Sequence, residues 1–320
     1  MRIHQFGGPE VLQYEEASDP SPGAGQVLVR VKAASINRGD LSRRGGAFAE
    51  GAALPLIIGW EVSGIVEQLG AGVEGPPPGT RVLAYGSGGG YAELAVFPAE
   101  NVHPIPNSLS FAEAAAIPVV FVSAWRALMD CAHTRAGETV LVQAAGSGVG
   151  MAGIQLAKHL GARVIATAAG ERKLTLAQEL GAEHAIDYQR QDFEQEVARL
   201  TGGSGVDVVL DVVGGEVMSK SVRALARNGR LVCVGNASRQ SATIEPDQLY
   251  RKALTLTGMT TGLLRQPGEE RERLDRILAL VEQGELKSVV DRTFPLSQAA
   301  EAHRYLEARL NVGKVVLTVD

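Results

Sequence analysis

The first hundred residues alternate apolar and polar positions in short stretches. Val27-Leu28-Val29-Arg30-Val31-Lys32 alternates as a half-buried strand does. Stretches 61–67, 81–85 and 91–96 predict further strands, separated by Gly75-Pro76-Pro77-Pro78-Gly79 and Gly86-Ser87-Gly88-Gly89-Gly90. Many short strands punctuated in this way predict a β-rich, barrel-like domain. The pattern changes near residue 108. Ser110-Phe111-Ala112-Glu113 reads as a capping box that opens an Ala-rich helix. Pro118 interrupts it, and a second helix runs through Trp125 and Leu128.

Beyond that point strands and helices take turns. Strands are predicted at 139–142, 163–167, 206–210 and 230–234, with helices over 149–160, over 173–180 and between the last two strands. Continuous Val/Ile/Leu strands alternating with helices predict a parallel sheet covered on both faces. A strand at 253–257 closes that sheet. The tail reads as a charged helix (269–283), a strand near Val289, a helix at 299–306 and a last strand at 314–319 that pairs back into the first domain.

Composition narrows the class. Of 320 residues 38 are glycine, above the usual ~7%, while Lys+Arg 31 against Asp+Glu 36 leave a net charge of −5. That mild acidity argues against nucleic acid or an anionic membrane as partner, since both need clustered cations. Two cysteines, Cys131 and Cys233, offer neither a disulfide framework nor a zinc spacing, which fits a cytoplasmic protein. No signal peptide is expected from the first residues, and no apolar run is long enough to span a bilayer.

The sharpest local signal is Val142-Gln143-Ala144-Ala145-Gly146-Ser147-Gly148-Val149-Gly150, a small-residue turn between a strand and a helix. This is the setting of a dinucleotide fingerprint: small residues allow a tight turn, backbone approaches the pyrophosphate, and Gly150 lets the helix pack on its strand. With Gly150 last, Ala145 and Ser147 stand where Gly is expected, so a ligand-free β–α turn is the competing reading. NAD enzymes carry a carboxylate about 20 residues further on. Here the second strand ends Ala166-Thr167-Ala168-Ala169-Gly170, and Arg172 and Lys173 follow Glu171. Room for a 2′-phosphate beside cations favours NADPH; solvated first-turn residues of a helix are the alternative.

Together these stretches resemble the medium-chain dehydrogenase/reductase superfamily, in particular its zinc-free quinone oxidoreductase (zeta-crystallin-like) branch. The resemblance runs through Phe6-Gly7-Gly8-Pro9-Glu10-Val11-Leu12, 27–37, 59–66, Tyr91-Ala92-Glu93, 137–142, 181–188, 205–209, 229–232 and Gly313-Lys314-Val315-Val316-Leu317. It implies an α/β chain in which a GroES-like catalytic domain (1–117 and 260–320) accompanies a doubly wound Rossmann domain (118–259). It further implies that Lys173 and Tyr188 contact the NADPH 2′-phosphate and that Ser123 contacts the cofactor. Gly235 and Asn236 match the turn beside the nicotinamide ribose, Thr257 and Gly258 a segment near the carboxamide, and Asn37 and Asp40 the Asn-x-x-Asp segment bordering nicotinamide and substrate. A homodimer joined through the 253–257 edge strand is implied as well.

Catalytic zinc needs three Cys, His or carboxylate ligands. In zinc-dependent relatives the first is a Cys, replaced here by Asn37, and the second the His of Gly-His-Glu, here Gly59-Trp60-Glu61. No metal is expected. Without a Lewis acid the electron acceptor must itself be electron-poor, a quinone or an enone. Relatives that reduce enones often carry a Tyr eleven residues after the Asn; here Phe48 stands there, and Ser42 occupies another family Tyr position. Trp60 either lines the acceptor pocket or fills the core, and Arg38 either meets an acceptor or cofactor oxygen or pairs with Asp40 at the surface. The expected function is thus NADPH-dependent reduction of a small-molecule acceptor. A 2-enoyl thioester reductase and a non-enzymatic NADPH-binding or sensing protein are the alternatives.

Overall fold

The structure, a computed structural model, describes residues 1–47, 51, 53–260 and 268–319. The chain divides into two compact units, Met1–Val119 with Pro267–Asp320, and Val120–Gln266.

The first unit is built on a seven-stranded sheet. Its order is Val290–Pro295, Lys314–Thr318, Gln26–Ile36, Glu61–Leu69, Arg81–Tyr85 and Val102–Pro104, and Leu94–Pro98 also pairs with Gln26–Ile36. Alternation explains its core: Val27, Val29, Val31, Val62, Val66, Val82, Val315 and Leu317 all turn inward and are buried in one cluster. The last strand, Lys314–Thr318, runs antiparallel to the long strand Gln26–Ile36, with Val315 opposite Ile36 and Val316 opposite Ser35. Strand 91–96 of the sequence reading begins only at Leu94. Tyr91 instead lies in a bend, its ring wholly buried. Gly64 permits the closest crossing in this sheet, since a Cβ there would lie 2.1 Å from the Arg30 carbonyl oxygen.

Helix Arg38–Arg44 is fastened to the other end of the chain. Arg44 donates from Nη1 to His303 Nδ1 (2.9 Å), from Nη2 to Glu307 (2.5 Å) and from Nε to the Gly7 carbonyl (3.1 Å). A guanidinium has no acceptor, so His303 Nδ1 must be the unprotonated nitrogen and Nε2 carries the hydrogen. That Nε2–H then donates to the Tyr91 hydroxyl, 3.1 Å away. Burial, with Arg44 adding to it, lowers the His303 pKa to about 3, which agrees with a neutral ring.

The second unit is a six-stranded, all-parallel sheet. Its order is His184–Asp187, Arg163–Ala168, Thr139–Val142, Val206–Asp211, Leu225–Cys233 and Thr255–Gly258. The numbering reverses beside Thr139–Val142, which is the topological switch point of a Rossmann fold. Helices Gly148–His159, Glu171–Glu179, Phe193–Leu200, Gly215–Ala224 and Pro246–Lys252 connect the strands. Two of these, Phe193–Leu200 and Pro246–Lys252, lie outside the elements expected from the sequence. The edge strand starts two residues later than expected, because Ala253 adopts φ +52° and ends the preceding helix in a left-handed turn. The Ala-rich helix ends at Ala115, and the expected second helix begins at Pro118, runs to Trp125 and continues as a π-helical turn, Arg126–Cys131. No helix among the described residues is long and apolar enough to cross a membrane.

Two stability measurements check this account. Gly64→Ala forces a methyl into the Arg30 carbonyl and costs about 1–3 kcal/mol in urea unfolding. Gly75→Ala, where the nearest atom to a new Cβ is Val73 Cγ1 at 3.5 Å, stays within about 0.5 kcal/mol of the parent. His303 has its folded pKa below its unfolded value near 6.5, so its contribution is complete above that pH and declines as pH falls toward about 3. His303→Gln keeps both hydrogen bonds but cannot titrate. Its stability relative to the parent therefore rises on acidification below pH 6.5, by at most about 1.4 kcal/mol per pH unit; a pH-independent difference contradicts the neutral buried ring.

Candidate functional site

In the second unit, strand Thr139–Val142 delivers the chain into the glycine-rich turn. The turn is held by neighbouring strands: Gln143 N–H donates to the Leu210 carbonyl (3.0 Å) and Ala145 N–H to that of Thr167 (2.8 Å). The buried Gln143 amide accepts from the Thr167 hydroxyl (2.5 Å) and donates to the Ser221 hydroxyl (3.0 Å). The tightest position is taken by a non-glycine residue, Ala144 at φ +56°. Gly150 is required where it stands, because a Cβ would lie 2.3 Å from the Ala144 carbonyl oxygen. Ser147 is the N-cap of helix Gly148–His159 and accepts from the Gly150 N–H (3.0 Å). The N–H groups of Gly148 and Val149 fall in the first turn, which has no preceding helical carbonyl to bond.

Lys173 comes to this turn from the next helix. A Cβ on Gly146 would meet Lys173 Cδ at 2.7 Å, so the lysine stem lies directly on the glycine. Gly170 precedes that helix at φ +84°, with open space where a side chain would be. Ala168 is buried, and Tyr188 is half exposed while its N–H donates to the Ala168 carbonyl (3.2 Å). Parallel pairing puts Ala168 opposite Asp187, Asp211 opposite Cys233, and Cys233 opposite Gly258. The 145–150 turn, Ala168, Gly170, Tyr188, Gly235, Asn236, Thr257 and Gly258 thus stand in one row at the carboxyl ends of the strands, where open α/β sheets bind ligands. Asn236 is oriented by Gln240 and Ser238, at 3.0 and 2.7 Å. Ser123 is buried on helix Pro118–Trp125, outside that row. The cradle fits a dinucleotide: helix N–H groups, a small-residue floor and a cation beside it. Gln143, Thr167 and Ser221, which hold the turn from beneath, carried no motif that sequence reasoning could use.

In the first unit, Asn37 and Asp40 sit at the start of helix Arg38–Arg44. Asp40 accepts from the Asn37 N–H (2.8 Å), half of a capping box, and has no solvent exposure. Burial, reinforced by the nearby Glu61 carboxylate, raises its pKa to about 7. The Asn37 amide donates to Glu61 Oε1 (2.7 Å) and accepts from Lys314 Nζ (2.7 Å). Lys314 also donates to Glu61 Oε1 (3.0 Å) and to the Ile36 carbonyl (3.0 Å), and Glu61 Oε2 takes the Val119 N–H (2.7 Å). Sequence reasoning gave Lys314 no role; its signal is a lone cation heading the apolar run Val315-Val316-Leu317.

Trp60 packs over helix Arg38–Arg44, its indole standing where a Cβ on Gly39 would be, which accounts for that glycine. Arg38 is exposed while Asp40 is enclosed, and Phe48 lies outside the described residues. No group of three His, Cys, Asp or Glu among the described residues could hold a metal ion. The first-ligand and second-ligand positions of zinc-dependent relatives hold an amide and an indole; of the two carboxylates nearby, Glu61 already binds an ammonium and Asp40 accepts from the Asn37 N–H. These residues do not fit a zinc ion.

Residues 23–107 match the family model "Alcohol dehydrogenase GroES-like domain" and residues 148–280 the model "Zinc-binding dehydrogenase". A quinone oxidoreductase of Rattus norvegicus is 33% identical over 321 residues, covering 99% of this chain and 96% of that protein. A spectinabilin polyketide synthase system protein of Streptomyces orinoci is 39% identical over 325 residues, 99% of this chain but 14% of that much longer protein. The structure of Escherichia coli quinone oxidoreductase complexed with NADPH superposes with a TM-score of 0.91 at 31% identity, over 99% of each chain. With this fold, this turn and these replaced ligand positions, the chain belongs to the medium-chain dehydrogenase/reductase superfamily and is an enzyme of its zinc-free, quinone oxidoreductase-like branch.

Proposed function

We propose that the protein is an NADPH-dependent reductase of quinones and other α,β-unsaturated carbonyl compounds. One observation carries the reading: where zinc-dependent relatives bind their metal, this chain has Asn37, Trp60 and a Glu61 carboxylate neutralised by Lys314. An acceptor activated by its own conjugation suits such a site. NADPH is supported by Lys173 on Gly146, by the missing carboxylate at Ala168 and by Tyr188 beside it, as well as by the NADPH complex of the Escherichia coli relative.

Held by the 145–150 turn and Lys173, NADPH would supply a hydride from its nicotinamide C4. The acceptor takes it at an electrophilic position, the conjugated π electrons move to the carbonyl oxygen, and one proton from water completes the reduced product. The protein's part is to hold and orient both reactants and to keep a polar, hydrogen-bonding wall at Asn37. Phe48 cannot donate a proton, so water serves. A second reading, reduction of an enoyl thioester, draws support from the polyketide synthase relative.

NADPH oxidation measured against a panel of quinones, enones and enoyl thioesters tests this. Turnover is expected on the first two classes, with NADH a poorer donor; preferential use of enoyl thioesters selects the second reading, and binding of NADPH with no turnover refutes a reductase. Lys173→Met weakens NADPH binding about tenfold or more by losing a charge-assisted phosphate contact, while NADH binding is unchanged. Equal loss for both cofactors counts against a 2′-phosphate role.

A further inference from the structure

We propose that Lys314 is a positioning residue for the reduction, acting as a built-in cation that fixes which way the Asn37 amide faces. The inference rests on the reductase reading and names a device within the same site.

Three hydrogens of an ammonium meet three acceptors here: Asn37 Oδ1 at 2.7 Å, Glu61 Oε1 at 3.0 Å and the Ile36 carbonyl at 3.0 Å. Lys314 is 4% exposed and Glu61 not at all, so water does not compete for these bonds. An asparagine amide can otherwise be turned over at little cost, since its oxygen and nitrogen have the same shape. At Asn37 the reversed orientation would set an NH₂ against the ammonium and an oxygen against the Glu61 carboxylate. Lys314 and Glu61 therefore read the two ends of one amide with opposite charges, and both select the same face.

The selected orientation has a chemical use. Glu61 Oε1 takes one Nδ2 hydrogen at 2.7 Å. The other has no partner among the described residues, and Asn37, unlike Glu61, retains some exposure at 8%. The remaining N–H is a neutral donor of fixed direction, suited to the carbonyl oxygen on which negative charge grows as hydride arrives. A carboxylate accepting from the same nitrogen polarises that N–H further. Lys314 itself touches no reacting atom: all of its hydrogens are spent on the protein.

The test uses four variants of the full chain, the last of them adding Asn37→Ala to the double variant. Lys314→Met alone leaves Glu61 buried opposite no cation and can fail to fold, so the charge-balanced double variant Glu61→Gln/Lys314→Met is made as well, and Asn37→Ala removes the amide. For variants that hold NADPH with a Kd within twofold of the parent, kcat with the preferred acceptor is expected to fall at least tenfold, and the primary isotope effect from deuterium at nicotinamide C4 to rise. Adding Asn37→Ala to the double variant is expected to cost no more than a further twofold. A kcat of the double variant within twofold of the parent, or multiplying losses, overturns the proposal. Asparagine labelled with ¹⁵N gives a readout that needs no turnover: the two Asn37 Nδ2 hydrogens, one bound to a carboxylate and one not, resonate far apart in the parent and draw together in the double variant. If the parent reduces nothing on the panel, the reductase reading falls, and an unchanged amide splitting still refutes the positioning role independently.

Discussion

A cation buried in protein has to be met by fixed acceptors, and Lys314 brings that requirement to the centre of the first unit. Its partners lie at the end of one strand (Ile36, Asn37) and the start of the next (Glu61), and Lys314 itself opens the last strand. The ladder that pairs Val315 with Ile36 determines that Lys314 arrives above Asn37. A slip by one residue would turn the ammonium to the other face and leave Glu61 buried without it. Register, burial and the orientation of the Asn37 amide are thus one constraint seen at three scales.

The two units meet their tasks by different means. The turn of the second unit works through backbone: a left-handed Ala144, N–H groups at a helix start, and glycines whose missing side chains leave room. The corner of the first unit works through side chains held in a dry environment, an amide, two carboxylates and an ammonium. The first kind of site tolerates small-residue replacement, which is why Ala145 and Ser147 can stand at positions where the fingerprint has glycine. The second kind depends on each donor finding its acceptor.

Much of the architecture could be read from the chain because it follows from local periodicity. Val27, Val29 and Val31 alternate as their burial does, and the Ser110/Glu113 box caps a helix as its spacing implies. Helix Phe193–Leu200 escaped because its apolar positions, Phe193, Val197 and Leu200, repeat over only two turns, too short a run for periodicity to stand out. Candidate residues of the turn were legible since small residues between a strand and a helix are a local pattern. Lys173 on Gly146 was not, because that contact depends on how two helices lie. The same holds for His303, which is fully buried and bonded to Arg44 across 259 positions of chain, a contact that no local pattern announces.

That bond also decides where protons can travel. A hydrogen-bonded file conducts a proton only if every member can both give and receive, so that the whole row can turn over after each passage. Arg44 can only give. With His303 Nδ1 permanently receiving from it, the row through Tyr91 is closed at its outer end, however close Glu307 brings it to solvent. Asp40, neighbour to Tyr91 at the inner end, is insulated from the outside along this path. The row that ties helix Arg38–Arg44 to the far end of the chain is therefore a structural brace and carries no proton between Asp40 and solvent.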